Sequence, residues 1–303
     1  MPCLPVTRRL NDNTPTAWPL VLPAVVGLVA FVAVPFLLAL FLSLTNLRLG
    51  SPLPLEYVGL RQYVRIFTAP SFQRALVNNA VFAMVVVPVQ TTLALALAIL
   101  LNRGLRGMAI FRTLFFMPVV FPMALVAVVW ELLYAPGSTG TLNAFLGTVT
   151  LGWWEPKAFL HDAFWALPAI MVLSIWQGLG FQMVILLAGL QSIPDQLYEA
   201  ASIDGAGKLS QFWHVTLPQL RNPLVFVVLL TGILAFRVFD QVQILTQGGP
   251  NDATTTVMYE AVTAAFSRQQ VARASAMTVV FFLIVLAITL GQRMLVREER
   301  EVA

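Results

Sequence analysis

Polar side chains interrupt the apolar stretches of this chain, and their chemistry suits a hydroxylated solute. Ser174, Gln177 and Phe181 recur at spacings of three and four, which places them on one face of a helix, with Gln182 adjacent. Hydroxyl and amide groups bind the hydroxyls of a polyol, and an aromatic ring offers a flat face to a sugar. The pattern predicts part of a solute path, although such side chains also serve to join neighbouring membrane helices.

A second group brings two opposite charges into an apolar stretch. Arg237 and Gln241 are four residues apart, and Asp240 lies one helical turn from Arg237. The planar guanidinium of arginine binds phosphate bidentately, so Arg237 is a candidate for recognising a phosphate group on the solute. The alternative is a structural ion pair between Arg237 and Asp240, because charges inside a membrane commonly pair with each other. The sequence leaves both roles open.

A third segment is polar and helix-forming, and it separates two apolar stretches too long for ordinary core helices. It reads LYEAASIDG at 197–205, and VTLP follows at 215–218. A membrane chain places such a segment outside the bilayer, where a soluble partner can reach it. The alternative for its carboxylate, Glu199, is a solvated position on an exposed helix.

The composition identifies the class of protein that must position these groups. Of 303 residues, 58% are hydrophobic and 11% are charged, and the mean hydropathy is +0.81. A soluble domain carries roughly 25% charged residues. The chain is therefore expected to be an integral membrane protein.

Apolar runs of about 20 residues, the length that crosses a bilayer as a helix, predict an all-α protein with six transmembrane helices. Prolines such as Pro118 and Pro122 favour kinks within the spans. The predicted spans are 18–44, 77–101, 113–134, 164–190, 223–245 and 274–295. The predicted organisation is a tail over 1–17, a first span with an extracytoplasmic loop over 18–76, a core over 77–295 and a tail over 296–303.

The lysines and arginines of the connections predict the orientation. One alternating set of connections holds ten of them and the other holds seven, and the richer set lies close to the span ends. Both termini and the connection 191–222, here called the coupling loop, are therefore expected in the cytoplasm. The richer set contains Arg8, Arg9, Arg103, Arg106, Arg112, Lys208, Arg221, Arg293, Arg297 and Arg300. No basic tract with interleaved aromatics suggests a nucleic-acid partner.

The coupling loop has the residue types of two short helices. Helix formers predict a helix over 196–203, with a capping box that starts at Ser192. Gly205 is expected to end this helix in a bend. A second helix is predicted over 208–215, and it should stop before Pro218, because the residue before a proline is pushed away from the helical region.

The spacing in this loop resembles a known family. EAA at 199–201, Gly205 and V-x-L-P at 215–218 are similar to the E-A-A-x3-G-x9-I-x-L-P loop of permease subunits in binding-protein-dependent ABC importers. The one departure is valine at position 215, where the family pattern has isoleucine. The resemblance implies the type I ABC importer permease fold, with this loop as a coupling-helix loop.

Three further segments narrow the resemblance to the sugar and glycerol-phosphate branch. They read VGLRQY at 58–63, WELLY at 130–134, and LTQGGP at 245–250 followed by ATTT at 253–256. The chain most resembles the permease subunits that import sn-glycerol 3-phosphate and glycerophosphodiesters. Import of trehalose or maltodextrin-type oligosaccharides is the alternative within the same machine.

In this family the paired short helices dock in a cleft of a cytosolic ATPase subunit. The resemblance implies that Glu199 faces a basic residue there and that Ala200 and Ala201 allow close approach. The implied contact residues are Glu199, Ala200, Ala201, Asp204, Gly205, Val215, Leu217 and Pro218. The implied partners are two ATP-binding cassette subunits, a second homologous permease subunit and an extracytoplasmic solute-binding protein, in the inner membrane of a bacterium.

Missing motifs argue against an enzyme. The sequence has no G-x-x-x-x-G-K-[ST] loop, so ATP and Mg are expected on the partner ATPase, and no cofactor or metal is expected in this chain. It also lacks G-x-S-x-G and H-E-x-x-H. An ATP-independent secondary carrier is the alternative from another class, although such a carrier does not need the coupling loop.

Overall fold

The structure of the protein, a computed structural model, describes residues 14–102 and 107–296, with side chains over 21–102 and 107–292. These residues are helical or irregular, and the one β-type pairing among them is an isolated bridge between Thr45 and Tyr57. The expected all-α class is confirmed. Most of the tail predicted over 1–17 and nearly all of that over 296–303 lie outside the described residues, as do Arg103 and Arg106.

The helices vary from single turns to full membrane spans. Their bounds are α1 Thr14–Leu28, α2 Val34–Ser43, α3 Arg61–Thr68, α4 Pro70–Leu101, α5 Met108–Val120, α6 Met123–Leu133, α7 Thr141–Val149, α8 Ala166–Gln191, α9 Asp195–Ile203, α10 Lys208–Gln211, α11 Leu217–Gln219, α12 Arg221–Phe236, α13 Asp240–Leu245, α14 Val257–Val262 and α15 Val271–Val296. π-Helical turns at Val29–Ala33, Phe212–Thr216 and Thr263–Ser267 join some of them.

Five stretches in the described part of the chain are long and apolar enough to cross a membrane as one helix or nearly one helix. They are Val21–Ser43, Pro70–Leu101, Ala166–Gln191, Arg221–Leu245 and Val271–Gln292. A sixth span results if α5 and α6, which are bent by 101° at their junction, are counted together.

The third span differs from the single helix predicted over 113–134. Phe121 and Pro122 both have extended backbone, with ψ of 138° and 137°, and α6 begins only after them. The cause is Pro122, because the ring of a proline excludes the preceding residue from the helical region. Pro118, in contrast, remains inside α5.

The fifth span also differs, because the helix predicted over 223–245 is broken. α12 ends at Phe236 and α13 begins at Asp240. The other spans match the predicted ones except for the residues at which they begin and end. α4 begins at Pro70, well before the predicted residue 77, and a proline at a first helical position has no lost hydrogen bond.

α8 lies at the centre of the bundle and contacts α4, α5 and α12. In the most apolar 18-residue stretch of α8, half of the residues are buried, whereas in the corresponding stretch of Val21–Ser43 none are. Gly180 allows the close approach of α5, since a Cβ at this position would lie 2.0 Å from the backbone oxygen of Phe115. The first span packs at the periphery against α15, where the rings of Phe36 and Phe282 lie 4.5 Å apart.

The two ends of α8 define two sides of the bundle. The loop side carries the coupling loop, and the far side carries the connections 134–165 and 246–256. On the far side Arg74 of α4 donates to Asn251 O (2.9 Å) and lies 3.6 Å from the Asp252 carboxylate. Asn78 donates to Thr255 O at 2.9 Å. The start of α4 is thereby tied to the connection between α13 and α14.

Candidate functional site

A cavity of about 290 Å³ opens between α4, α8, α12 and α13. Ser174 lies about 12 Å along α8 from its far-side start, so the cavity is within the bundle. Its polar lining consists of Gln90, Ser174, Gln177, Thr231, Arg237, Asp240 and Gln241. Apolar residues, among them Phe82, Met123, Leu234 and Phe239, complete the wall. We call this space the polar cavity.

The break between α12 and α13 forms one wall of the polar cavity. Phe239 has φ −140° and ψ −58°, outside the helical region. Asn79 of α4 donates to Phe236 O at 3.2 Å, and Thr256 donates to Val238 O at 2.9 Å. The side-chain oxygen of Asn79 also accepts from the backbone N–H of Val257 at 2.8 Å. Broken backbone is tolerated at membrane depth only where such partners satisfy it.

Asn79 and Thr256 are both fully buried, and sequence reasoning missed them. The signal available for the first was the polar pair Asn78-Asn79 near the start of a long apolar helix. An amide in such a place is costly unless both its donor and its acceptor are paired. Nothing in the sequence indicates which backbone groups Asn79 would meet, because they lie more than 150 positions away along the chain.

Arg237 and Asp240 both line the polar cavity and are largely exposed in the isolated chain. Among the described residues, neither has an ion-pair partner within 4.0 Å. The structural pair considered from the sequence is therefore not formed. The physical reason is the break, since spacing rules of three and four residues hold only along a continuous helix.

Ser174 and Gln241, which were predicted as parts of two separate groups, lie in contact, and both are buried. The Gln241 amide donates to the Ser174 hydroxyl at 3.0 Å, and that hydroxyl donates to Ile170 O at 2.8 Å. These two side chains therefore join α8 to α13 as well as line the polar cavity. Gln177, one turn along, also lines the cavity, and its side-chain amide makes no hydrogen bond to the described residues.

Gln90 is a further lining residue that sequence reasoning missed. It is 5% exposed, and its amide makes no hydrogen bond within the described part of the chain. Gly178 gives it room, because a Cβ there would lie 2.3 Å from the Gln90 amide nitrogen. Because the amide lines the polar cavity and has no side-chain partner among the described residues, its donors and its acceptor are available there to a ligand or to water.

Phe181 and Gln182 lie away from the polar cavity. Gln182 is buried and donates to the Thr231 hydroxyl at 2.5 Å, so it joins α8 to α12. Phe181 is 38% exposed and does not line the cavity. The predicted face on α8 is thus reduced to Ser174 and Gln177, and the aromatic surface comes instead from Phe82 and Phe239.

The coupling loop forms a helix, a glycine bend and a second helical segment. Gly205 has φ +81°, a region that glycine adopts without steric cost. The backbone N–H of Gly205 donates to Ser202 O (3.1 Å), and that of Ala206 donates to Ala201 O (2.8 Å). This pair of bonds is the Schellman motif, which satisfies the last carbonyl groups of α9.

Two details of the coupling loop differ from the predictions. The N-cap of α9 is Pro194, and the Ser192 hydroxyl donates back to Gly189 O at 2.7 Å, so no capping box forms. Helical backbone also continues past Val215 to Gln219 through the π-turn. The wider turn just before Pro218 is consistent with a proline that lacks an N–H and crowds the carbonyl four residues earlier.

Hydrogen bonds hold the two parts of the coupling loop together. The hydroxyls of Tyr198 and Thr216 lie 3.0 Å apart. The Gln211 amide donates to the Ser202 hydroxyl at 2.8 Å and to Ala206 O at 3.1 Å. Tyr198 also packs against a buried cluster of α4, α8 and α12. The loop is therefore built as one unit with the loop-side end of the bundle.

The outer surface of the coupling loop carries a carboxylate and apolar side chains. Glu199 is exposed and has no ion pair within the described residues. Ile203, Leu209 and Trp213 are 86%, 73% and 56% exposed. Of the other motif residues, Ala200, Asp204, Gly205 and Pro218 are exposed, and Ala201, Val215 and Leu217 are partly buried.

Comparison with known proteins places this architecture in a family. The family described as binding-protein-dependent transport system inner membrane component matches residues 90–301. The chain is 36% identical over 285 residues to the probable ABC transporter permease protein YurN of Bacillus subtilis, which covers 93% of this chain and 96% of that protein. It is 33% identical over 271 residues to the trehalose/maltose transport system permease protein MalF of Thermococcus litoralis, covering 89% and 90%.

A solved structure has the same fold. A chain of a bacterial alginate ABC transporter, in complex with an alginate pentasaccharide-bound periplasmic protein, superposes with a TM-score of 0.82 at 20% identity, covering 97% of this chain and 99% of that one. The predicted permease fold is thus confirmed. The chain belongs to the family of multi-pass inner-membrane components of binding-protein-dependent transport systems.

Proposed function

We propose that this protein is one permease subunit of an ATP-driven importer and forms half of the path for a carbohydrate-type solute. The main support for the proposal is the polar cavity at the break between α12 and α13. Gln90, Gln177, Arg237 and Asp240 face it without partners among the described residues. Groups of this kind, enclosed by apolar walls, bind and orient a hydroxylated solute.

The coupling loop is the proposed contact with the ATPase. Its exposed carboxylate, Glu199, would pair with a basic residue of the partner, and Ile203, Leu209 and Trp213 would be covered. The relative YurN is named as an ABC transporter permease, and the solved complex contains a periplasmic binding protein. In the proposed assembly, as the resemblance of the loop implies, the chain is joined by two ATPase copies, a second homologous permease and an extracytoplasmic solute-binding protein. The loop side and both termini would face the cytoplasm, in agreement with the bias in lysine and arginine.

For the solute, the proposal has two forms. The unpaired guanidinium of Arg237 favours a solute with an acidic group, such as sn-glycerol 3-phosphate or a glycerophosphodiester. The name of the trehalose/maltose relative favours a neutral oligosaccharide. Titration calorimetry on the cognate solute-binding protein, with glycerol phosphates and neutral disaccharides as ligands, separates the two forms.

Transport by the complex tests the proposal as a whole. The transporter purified with this chain as bait is reconstituted in proteoliposomes together with its solute-binding protein. Uptake is expected only with ATP on the loop side. Uptake that persists without ATP and follows an ion gradient contradicts the proposal and indicates a secondary carrier.

Coupling is tested with a matched pair of carboxylates on α9. Glu199→Ala is expected to weaken the coupling of ATP hydrolysis to uptake, because it removes the proposed docking charge. Asp195→Asn, at the first residue of the same helix, is the control and should leave coupling intact. Equal coupling in both variants contradicts the role of Glu199.

A further inference from the structure

The far-side connection between α6 and α8 carries an apolar surface that no other described part of the chain covers. Phe145 and Val149 on α7 are 61% and 63% exposed, and Leu151 and Trp153 in the following turn are 89% and 90% exposed. We call these four residues the far-side apolar surface. It is separate from the polar cavity and from the coupling loop.

The opposite face of α7 fixes this surface in place. Asn143 is 2% exposed, and its amide donates to Lys157 O at 2.9 Å. Its side-chain oxygen accepts from Trp154 Nε1 and from the Lys157 backbone N–H, both at 3.0 Å. Leu142 and Leu146 pack against the buried cluster around α8. The outward direction of the apolar side chains is therefore set by the fold.

The turn that ends α7 holds the backbone of Leu151 in a conformation that leucine disfavours, with its side chain exposed. Leu151 has φ +52° and Gly152 has φ +88°. A leucine is disfavoured in the left-handed region, where glycine or asparagine is the usual residue. The turn is closed by the backbone N–H of Gly152, which donates to Gly147 O at 2.8 Å. A large apolar side chain thus occupies an exposed turn position at which glycine or a polar residue is usual.

The charge pattern separates this surface from the rest of the connection. No charged residue occurs from 135 to 154, whereas Glu155 and Lys157 follow and form an ion pair at 3.3 Å. The connection joins the ends of two apolar helices, so it lies at the boundary of the hydrocarbon region. Tryptophan is enriched at that boundary, and tryptophan, phenylalanine and leucine form the buried face of helices that lie in it. Phe164, just before α8, is also exposed.

We infer that the far-side apolar surface inserts in the interfacial zone of the lipid bilayer and anchors α7 parallel to the membrane plane. The proposed occupant is lipid because α7 contacts α6, which belongs to the bent pair of apolar helices that can form a membrane span and exposes Leu125, Val128 and Leu132. The opposite face of α7 is held on the bundle by Asn143 and two leucines, so only its apolar outer side chains are free to meet lipid. This inference does not depend on the proposed solute or on the direction of transport.

Site-directed spin labelling tests the insertion. A Cys3→Ser background removes the single native cysteine, and cysteines are introduced one at a time at positions 145, 149 and 153. The control is position 155, whose glutamate side chain is 87% exposed. The labelled transporter, purified with its partner subunits, is placed in vesicles of phosphatidylethanolamine and phosphatidylglycerol. Collision rates with oxygen, which dissolves in lipid, and with a water-soluble nickel chelate are then measured.

We expect the three labels on the surface to collide with oxygen more than with nickel, and the label at 155 to show the reverse. Addition of the liganded solute-binding protein should leave the three labels unchanged. A water-like ratio at 145, 149 and 153 contradicts the inference. Low access to both reagents, or a loss of access when the binding protein is added, contradicts it as well, because a protein partner then covers the surface.

Thermal unfolding gives a second readout that does not need labels. The double variant Leu151→Ser with Trp153→Ser should lower the unfolding temperature of the complex more in vesicles than in detergent. Glu155→Gln is the control and should behave alike in both. An equal decrease in vesicles and detergent contradicts a lipid anchor and indicates a defect in packing.

Discussion

The polar cavity and the coupling loop differ in how their polar groups are satisfied. In the coupling loop, the side chains of Tyr198, Ser202 and Gln211 make hydrogen bonds within the loop, and the proposed docking surface remains exposed. In the polar cavity, Gln90, Gln177 and Arg237 have no such partners among the described residues. The loop is thus suited to move as one body, whereas the cavity is suited to exchange its partners with a solute.

One helix connects the two regions directly. The coupling loop runs through its π-turn, α11 and a turn at the buried Leu220 into α12, which extends 16 residues, or about 24 Å, to the break at Arg237. Under the proposed function, a displacement of the loop by an ATPase would reach the cavity wall along this nearly continuous helical path. We therefore expect the proposed transmission to need both a rigid loop at one end of α12 and a held break at the other.

The largest effect is expected from Gly205→Val, which tests the rigidity of the coupling loop. A non-glycine residue in the left-handed region costs roughly 1–2 kcal/mol, and a β-branched one is the least tolerated. The Schellman motif at the end of α9 should be lost, and uptake per ATP hydrolysed should fall by about tenfold or more. Proteoliposome uptake and ATPase rates measure the ratio.

Gly207→Ala is the matched control for this prediction. Gly207 has φ −70°, and a Cβ at this position meets nothing within 4 Å. It should leave the coupling ratio unchanged. If the Gly205→Val and Gly207→Ala complexes take up equal amounts of solute per ATP hydrolysed, the bend at Gly205 is not part of the transmission. The rigidity of the coupling loop is then not what separates it from the polar cavity.

The second largest effect is expected from Asn79→Leu, which tests the held break. The change leaves Phe236 O and the Val257 N–H without partners inside the bundle, at about 1–3 kcal/mol for each group. The unfolding temperature should fall by several degrees, and the solute concentration for half-maximal uptake should rise because Arg237 and Asp240 shift. Both are measured on the reconstituted complex.

Val81→Leu, at an exposed position of the same helix, should change neither quantity. An Asn79→Leu complex with a lower unfolding temperature and unchanged uptake contradicts a positioning role for Asn79. In that case the residue only supports the fold.

The same contrast explains how much of the molecule was predictable from sequence. The bend at Gly205 follows from glycine alone, since its hydrogen bonds are local to the chain. Ser192 is not a cap of α9 because it still belongs to the end of α8, as its C-cap, and α9 has a proline as its N-cap. The break at Arg237 was missed because its partners, Asn79 and Thr256, come from other elements. Structure that depends on residues close in sequence can be predicted from the sequence. The shape of a cavity cannot, because it depends on contacts between residues far apart along the chain, which no spacing rule predicts.

A smaller and more selective effect is expected from Arg237→Gln, which tests whether the polar cavity recognises a charged group on the solute. Loss of a charge-assisted hydrogen bond is worth about 1.5–3 kcal/mol. Half-maximal uptake of an anionic solute should therefore need roughly tenfold more of it, or more. Arg61→Gln, an exposed arginine outside the polar cavity, is the control and should have no effect. An equal change for anionic and neutral solutes indicates that Arg237 shapes the cavity without reading charge.

The smallest effect is expected from Phe181→Ala. This variant distinguishes a solute path through the polar cavity from a path along the α8 face predicted from the sequence. Phe181 lies outside the polar cavity, so its loss should leave half-maximal uptake within about twofold of the wild-type value, below 1 kcal/mol. Gln90→Leu is the contrasting variant, because it removes an unpaired amide from the cavity wall, and its half-maximal uptake should shift more. If Phe181→Ala impairs uptake more than Gln90→Leu, the solute path runs along the other face of α8, and the polar cavity is a packing defect beside it.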